Sequence, residues 1–144
     1  MFAPDTRFLV VDDYSSIRRV LRKILSELGF QFVDEADDGD VALLLLKQAH
    51  EEGKPFGVII ADWNMPKLSG LDLLRTCKGN PLFRNIPYIM ATAESEQAQI
   101  ILAVKAGVSE YVVKPFNAAI IKEKLIRAHS KVAPPKAGPV KKGS

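Results

Sequence analysis

Five polar side chains each come directly after a short apolar run. Asp12 and Asp13 follow the first run, Asp62 the third, Thr92 the fourth and Lys114 the fifth. In an open parallel sheet, functional groups collect beyond the carboxyl ends of the strands. If these runs are parallel strands, three carboxylates, a hydroxyl and an ammonium meet at one edge of the sheet.

This set of side chains is suited to phosphoryl transfer. Three neighbouring carboxylates either raise one another's pKa values or hold a cation between them. An all-oxygen cluster suits a hard cation, and Mg²⁺ binds a few carboxylates while keeping several waters. Lys114 would supply the opposing charge and Thr92 a hydroxyl donor. Asp62 is the candidate nucleophile because its strand runs into an open loop, and a carboxylate that attacks phosphorus forms an acyl phosphate.

The elements that would position these groups alternate five times between strand and helix. Short apolar runs predict strands over 8–11, 58–61, 88–91 and 111–113, and residues 32–36 are predicted to form the second strand. A stripe at helical spacing predicts a first helix over 17–28, with Ser15 and Ser16 as N-cap candidates and Gly29 ending it. Further helices are predicted over 40–50, 71–78, 95–106 and from Asn117 to about residue 129. This alternation indicates an α/β fold with a parallel sheet and helices on both faces.

Four segments in order resemble the receiver domain of response regulators in two-component signalling. They are 9–13 (LVVDD), 59–66 (IIADWNMP) with Gly70, 90–93 (MATA) and 113–116 (VKPF). The likeness extends over about 7–129 and is strongest to the single-domain chemotaxis regulators. It implies a flavodoxin-like (βα)5 fold with strand order 2-1-3-4-5, and a receiver domain over residues 1–129.

The resemblance also implies a role for each group at the predicted edge. Asp62 would accept a phosphoryl group from the phosphohistidine of a sensor histidine kinase. Asp13, Asp62 and the carbonyl of Asn64 would hold Mg²⁺, with Asp12 joining through water. Thr92 and Lys114 would bind the phosphoryl oxygens, and the Lys114–Pro115 peptide would be cis.

Three further residues would govern the state of such a switch. By resemblance, Tyr111 would move inward when Thr92 turns toward the phosphate, although a half-buried tyrosine in a strand is also common. Asn64 and Glu94 would tune dephosphorylation, a reaction that a dedicated phosphatase could assist. A receiver is no enzyme beyond its own phosphorylation and dephosphorylation, and in chemotaxis its output partner would be the flagellar motor switch. Trp63 is expected to be an exposed loop aromatic.

Charge and composition narrow the class of protein. The chain carries a net charge of +3, but Lys131, Lys136, Lys141 and Lys142 lie in its last 15 residues, and without them 16 basic residues face 17 acidic ones. We therefore expect residues 130–144 to form a disordered basic tail or linker, and we expect no nucleic-acid binding. No apolar run suggests a membrane span or signal peptide, and a lone Cys77 excludes a disulfide framework, which favours the cytoplasm.

Several alternatives remain at this stage. The chain could be a receiver cut from a longer response regulator with a missing output domain, or a stand-alone regulator outside chemotaxis. A haloacid-dehalogenase-type phosphatase would need a second Asp two positions after Asp12, where Tyr14 stands. A dinucleotide or flavin binder would need a glycine-rich loop after the first strand, and residues 13–18 contain no glycine.

Overall fold

The computed structural model describes residues 1–132, in which five strands alternate with five helices. The strands are β1 (Arg7–Val11), β2 (Phe32–Ala36), β3 (Val58–Ala61), β4 (Tyr88–Thr92) and β5 (Glu110–Val113). The helices are α1 (Ser15–Glu27), α2 (Gly39–Glu51), α3 (Gly70–Lys78), α4 (Gln97–Ala106) and α5 (Ala118–Ser130).

All strand pairs are parallel and the sheet has the order β2-β1-β3-β4-β5, so the predicted flavodoxin-like fold is confirmed. Side chains alternate between the two faces of each strand. In β1, Leu9 and Val11 join the core beneath α2, α3 and α4, whereas Phe8 and Val10 join the core beneath α1 and α5. The central strands are therefore apolar on both faces, as parallel strands covered by helices must be.

The order also explains why the polar groups converge. In a sheet of this kind, the strand order reverses between β1 and β3, and the loops beyond the two strands diverge there to leave a crevice. Asp12 and Asp62 continue the ladder for one residue past their strands, since the Asp12 N–H donates to Ala36 O at 3.1 Å and the Asp62 N–H to Val11 O at 3.0 Å. Both carboxylates consequently start from backbone that the sheet holds in place.

The predicted capping of the first helix was wrong. Helix α1 begins at Ser15 with Tyr14 as its N-cap residue, because the Asp12 carboxylate accepts the Tyr14 N–H at 2.9 Å and starts the helix one position early. Helix α4 begins at Gln97, two residues after its predicted start, and its N-cap residue is Glu96. Asn117 does cap α5, accepting the Ile120 N–H at 2.9 Å.

The last helix extends slightly beyond its predicted end. Helix α5 includes Ser130, and the Lys131 ammonium bonds the carbonyl of Ser109 and the carboxylate of Glu110. Residues 133–144, which make up most of the predicted tail, lie outside the described residues. Within residues 1–132, every helix is too short or too polar to cross a bilayer.

Candidate functional site

The three aspartates meet where the sequence places them, beyond the ends of β1 and β3. One carboxylate oxygen from each of Asp12, Asp13 and Asp62 lies within 4.8 Å of the others. Asp12 and Asp62 are 1% and 6% exposed, whereas Asp13 is exposed to solvent. This triad can hold a metal ion, with two ligands fixed in the protein and one facing solvent.

Lys114, which directly follows the edge strand β5, completes the cluster. Its ammonium lies 2.9 Å from Asp12 Oδ2 and 3.1 Å from Asp62 Oδ2. Burial alone would lower the pKa of Lys114, but its hydrogen bonds to Asp12 and Asp62 outweigh burial and raise it. Burial raises the pKa of Asp12, against the opposing effects of the Tyr14 N–H and Lys114. One ammonium facing three carboxylates leaves the cluster with an excess of negative charge, which favours a divalent cation.

The Asp62 side chain is oriented by two donors. Its Oδ1 accepts the Trp63 N–H at 2.6 Å, and its Oδ2 accepts from Lys114. The expectation that Trp63 would be an exposed loop aromatic was wrong, because its ring is half-buried and packs against the core beneath α2, α3 and α4. Asn64, the next residue, is exposed, so the loop turns outward directly after the candidate nucleophile.

The loop after Asp62 returns to the site at Gly70, the first residue of α3. The Gly70 N–H donates to Trp63 O at 2.8 Å. A Cβ atom added at Gly70 would lie 1.8 Å from the carbonyl oxygen of Asp62, a distance that no side chain can occupy. Gly70 is thus required by the close approach of two backbone segments, one of which carries the candidate nucleophile.

Thr92, Glu94 and Tyr111 form a second connected group, which links the end of β4 to β5. Thr92 is fully buried and its hydroxyl accepts the Glu94 N–H at 3.3 Å. The Tyr111 hydroxyl, on β5, donates to the carbonyl of Glu94 at 2.7 Å. Burial, with contributions from the charges of Glu94 and Asp62, raises the pKa of Tyr111 to about 12, so its hydroxyl stays a donor at neutral pH.

Sequence reasoning missed one contact to the aspartate pair. The Arg18 guanidinium donates to the carbonyl of Asp12 at 2.6 Å and pairs with Glu35 at 2.9 Å. Arg22 holds the second oxygen of Glu35. Helical spacing alone carries no signal for this contact, because it depends on the angle at which α1 leaves the first strand.

The Asp37–Asp38 pair shows why two adjacent aspartates do not by themselves define such a site. Asp38 caps α2 by accepting the Val41 N–H at 2.9 Å, and its other oxygen lies 3.7 Å from the ammonium of Lys67. Asp37 is exposed. Both residues have structural surroundings that differ from those of Asp12 and Asp13.

A parallel sheet of this order, with lysine-paired aspartates at its switch point, defines the class of phosphoacceptor switch domains. Residues 8–126 match the family model described as the response regulator receiver domain, and the chain belongs to that family. Members of this family are signalling switches that work with a kinase, and receiver domains bind Mg²⁺.

Similar proteins include two from chemotaxis and one from a sensor kinase. The chain is 42% identical over 126 residues to the chemotaxis protein CheY of Pseudomonas aeruginosa, covering 88% of this chain and 98% of that protein. It is 44% identical over 119 residues to the chemotaxis protein CheY-3 of Vibrio cholerae, covering 83% and 88%. The receiver domain of sensor histidine kinase PA1611 from P. aeruginosa has a TM-score of 0.73 at 26% identity, covering 88% of this chain and 99% of that one, and its structure holds a magnesium ion in the active site cleft.

Proposed function

We propose that Asp62 is the phosphoacceptor of a phosphorylation-activated switch. The observation that carries this proposal is the placement of the Asp62 carboxylate between Lys114, Asp12 and Asp13, directly before a loop that turns into solvent. A carboxylate oxygen of Asp62 attacks phosphorus while the phosphorus–nitrogen bond to the kinase histidine breaks, and the imidazole leaves. Lys114 then neutralises the oxygens of the transferred group, and Thr92 binds one of them.

The same residues fit a magnesium ion. Carboxylates of Asp12, Asp13 and Asp62 are hard oxygen donors, and the carbonyl of Asn64 is the fourth protein ligand that we propose. An ion held there would offset the negative charge of the phosphoryl group. Asp13, being exposed, is the ligand whose loss disturbs the fold least.

Trp63 provides a direct test of this metal site. Trp63 is the chain's single tryptophan, and its backbone N–H donates to Asp62 Oδ1. Titration with Mg²⁺ is therefore expected to change the tryptophan fluorescence in a saturable way. Asp13→Ala should raise the Kd for Mg²⁺ at least about tenfold, since a few carboxylates provide all the protein charge at the site. Asp37→Ala, at an exposed aspartate outside the cluster, is the matched control and should bind as the wild type does. Equal titration curves for the wild type and Asp13→Ala would place the metal elsewhere.

We further propose that the switch acts in chemotaxis, with the flagellar motor switch as the output partner. The two chemotaxis relatives support this assignment, and so does the group that links the site to β5. Thr92 lies at the end of β4, and Glu94 connects it to Tyr111 through one hydrogen bond on each side. When the Thr92 hydroxyl turns toward a phosphoryl oxygen, it loses its hydrogen bond to the Glu94 N–H. The backbone of Glu94 can then shift, and with it the carbonyl that accepts the Tyr111 hydroxyl.

The exposed surface next to this group suits a protein partner. Helix α4 is apolar around most of its circumference, and Ile101, Leu102 and Val104 are each more than two-fifths exposed. Val113 on β5 is also exposed. This apolar surface adjoins the loop that carries Glu94, so a change in the loop alters the shape that a partner meets.

Removing either hydroxyl of this group is expected to uncouple phosphorylation from partner binding. A full swing from 1:99 to 99:1 requires about 5.5 kcal/mol, whereas one charge-assisted hydrogen bond supplies about 1.5–3 kcal/mol. Thr92→Ala and Tyr111→Phe should therefore keep phosphorylation at Asp62 but lose roughly tenfold of the affinity gain. The measurement is the affinity for a peptide of the motor switch, with and without beryllofluoride as a phosphoryl mimic. Tyr14→Phe, at an exposed tyrosine, is the control, and an unchanged gain in both variants would contradict the coupling.

The lifetime of the phosphorylated state is assigned to Asn64 and Glu94. Asn64 follows Asp62 by two positions and is exposed, and Glu94 follows Thr92 by two. Both side chains are placed to influence the water that attacks the acyl phosphate, and a separate phosphatase can act from the same open side. We place this reaction in the cytoplasm, where sensor kinases release their signal. A receiver within a longer response regulator, or a regulator outside chemotaxis, would use the same site with another output partner.

A further inference from the structure

Tyr88 is a buried tyrosine whose hydroxyl reaches the loop of the candidate site. It is the first residue of β4, and none of its surface is exposed. Its hydroxyl donates to the carbonyl of Gly70 at 2.8 Å. Burial raises the pKa of Tyr88 well above its ordinary value, so the phenol keeps its proton and remains a donor.

Gly70 is in turn the residue that touches the backbone on both sides of the Asp62–Trp63 peptide bond. Its N–H donates to Trp63 O, and its Cα lies so close to Asp62 O that an added Cβ would be 1.8 Å away. Any shift of Gly70 therefore moves the backbone that carries the phosphoacceptor. The Tyr88 hydroxyl bonds Gly70 through its carbonyl, whereas the Gly70 N–H is the group that bonds Trp63.

The other end of Tyr88 is fixed to the sheet. Its N–H donates to the hydroxyl of Ser109 at 3.1 Å, and its carbonyl accepts the Ser109 N–H at 2.8 Å. Ser109 directly precedes β5, so this exchange lies at the end of the sheet opposite the site. The aromatic side chain is rigid, with only two rotatable bonds. The Tyr88 side chain therefore links the start of β4 to Gly70.

We propose that Tyr88 is a positioning residue for phosphoryl transfer. By holding Gly70, it fixes the Asp62–Trp63 backbone so that the Asp62 carboxylate faces Lys114 and the metal ligands. The inference rests on the proposed function of Asp62. Tyr88 lies outside the site, because it acts through Gly70 and touches no reacting group.

A purely structural explanation would treat Tyr88 as a space-filling aromatic. A phenylalanine would fill that space without the cost of burying a hydroxyl, so the hydroxyl is explained by its bond to Gly70. The two explanations differ in what the loss of the hydroxyl changes. Space filling predicts altered stability alone, whereas positioning predicts slower phosphorylation at a saturating Mg²⁺ concentration.

The experiment compares Tyr88→Phe with Ile121→Val. Ile121 is fully buried in the core beneath α1 and α5, on the other face of the sheet, so its truncation lowers stability without contacting Gly70. The rate constant for phosphorylation by acetyl phosphate at saturating Mg²⁺ is measured for each, together with Tm. Tyr88→Phe is expected to lower this rate about five- to tenfold, as the loss of one hydrogen bond that orients a reacting group does. Ile121→Val should stay within about twofold of wild type despite its lower Tm.

Amide hydrogen exchange at Gly70 provides a second readout that needs no phosphorylation. Exchange in Tyr88→Phe should accelerate more than in Ile121→Val, because the Gly70 N–H loses its fixed position against Trp63 O. Tyr88→Met, which also lacks the hydroxyl and fills the space flexibly, should behave like Tyr88→Phe. A wild-type rate and wild-type exchange at Gly70 in both Tyr88 variants would overturn the inference. Failure of the wild type itself to take up phosphate would instead count against the proposed function, and the exchange data would still decide the role of Tyr88.

Discussion

Asp62→Asn is expected to take up no phosphoryl group from acetyl phosphate and Mg²⁺, under conditions in which the wild-type chain gains one. The amide has no carboxylate oxygen to attack phosphorus and no charge for Lys114 and the metal to orient. The loss of rate should be at least about a thousandfold, as for removal of the nucleophile in other covalent mechanisms. Lys114 keeps its bond to Asp12 in this variant, so the fold should remain intact.

Intact mass and peptide mapping measure this result. Asp37→Asn is the matched control, since it removes one exposed carboxylate from the same end of the sheet and should be labelled as the wild type is. Unfolding in urea should show that Asp62→Asn is folded. Stoichiometric labelling of Asp62→Asn at Asp12 or Asp13 would show that the acceptor has been assigned to the wrong carboxylate.

Gly70→Ala should be the most destabilising single methyl addition at this end of the molecule. A Cβ 1.8 Å from Asp62 O cannot be relieved by rotating a side chain, because both partners are backbone. The strand end, the start of α3 or both must move, at a cost of at least about 3 kcal/mol in the free energy of unfolding. The displaced backbone carries Asp62, so phosphorylation of the remaining folded protein should fall by about a hundredfold.

Gly79→Ala is the natural comparison for this substitution. Gly79 lies at the other end of α3 with φ −80°, and its Cβ would meet only Arg75 O at 3.4 Å and Thr76 O at 3.7 Å. Its free energy of unfolding should change by less than about 1 kcal/mol. Urea unfolding curves for the two variants give the comparison directly. Equal stability of Gly70→Ala and Gly79→Ala would mean that the loop after Asp62 moves aside freely.

Much of the fold was predictable because each element has a local signal. Most of the strands are short apolar runs followed by a charged or hydroxyl residue, and the alternation of strands and helices indicated a parallel sheet. The order of the strands came from resemblance, since no local pattern states which strands are neighbours. The helix starts were less predictable, as α1 shows, because Asp12 binds the Tyr14 N–H and shifts the start to Ser15.

The convergence of Asp12, Asp13, Asp62 and Lys114 could be predicted because strand ends share one edge of a parallel sheet. The contacts that hold them could not. Arg18 reaches the Asp12 carbonyl only through the angle of α1, and Tyr88 reaches Gly70 across the core. A tyrosine in a strand otherwise made of apolar residues and threonine is a weak signal for such a contact, because a buried hydroxyl needs a partner. Which partner it finds depends on packing between distant segments.

The bond between Lys114 and Asp12 joins residues 102 positions apart and spans the sheet from β5 to β1. Contacts of such long sequence separation form only after a large loop has closed, and this closure is entropically costly. A nascent chain that ends before β5 therefore carries three carboxylates without their ammonium. The full set of charges assembles only when β5 has joined the sheet, so any chemistry that needs Lys114 depends on the last strand of the chain.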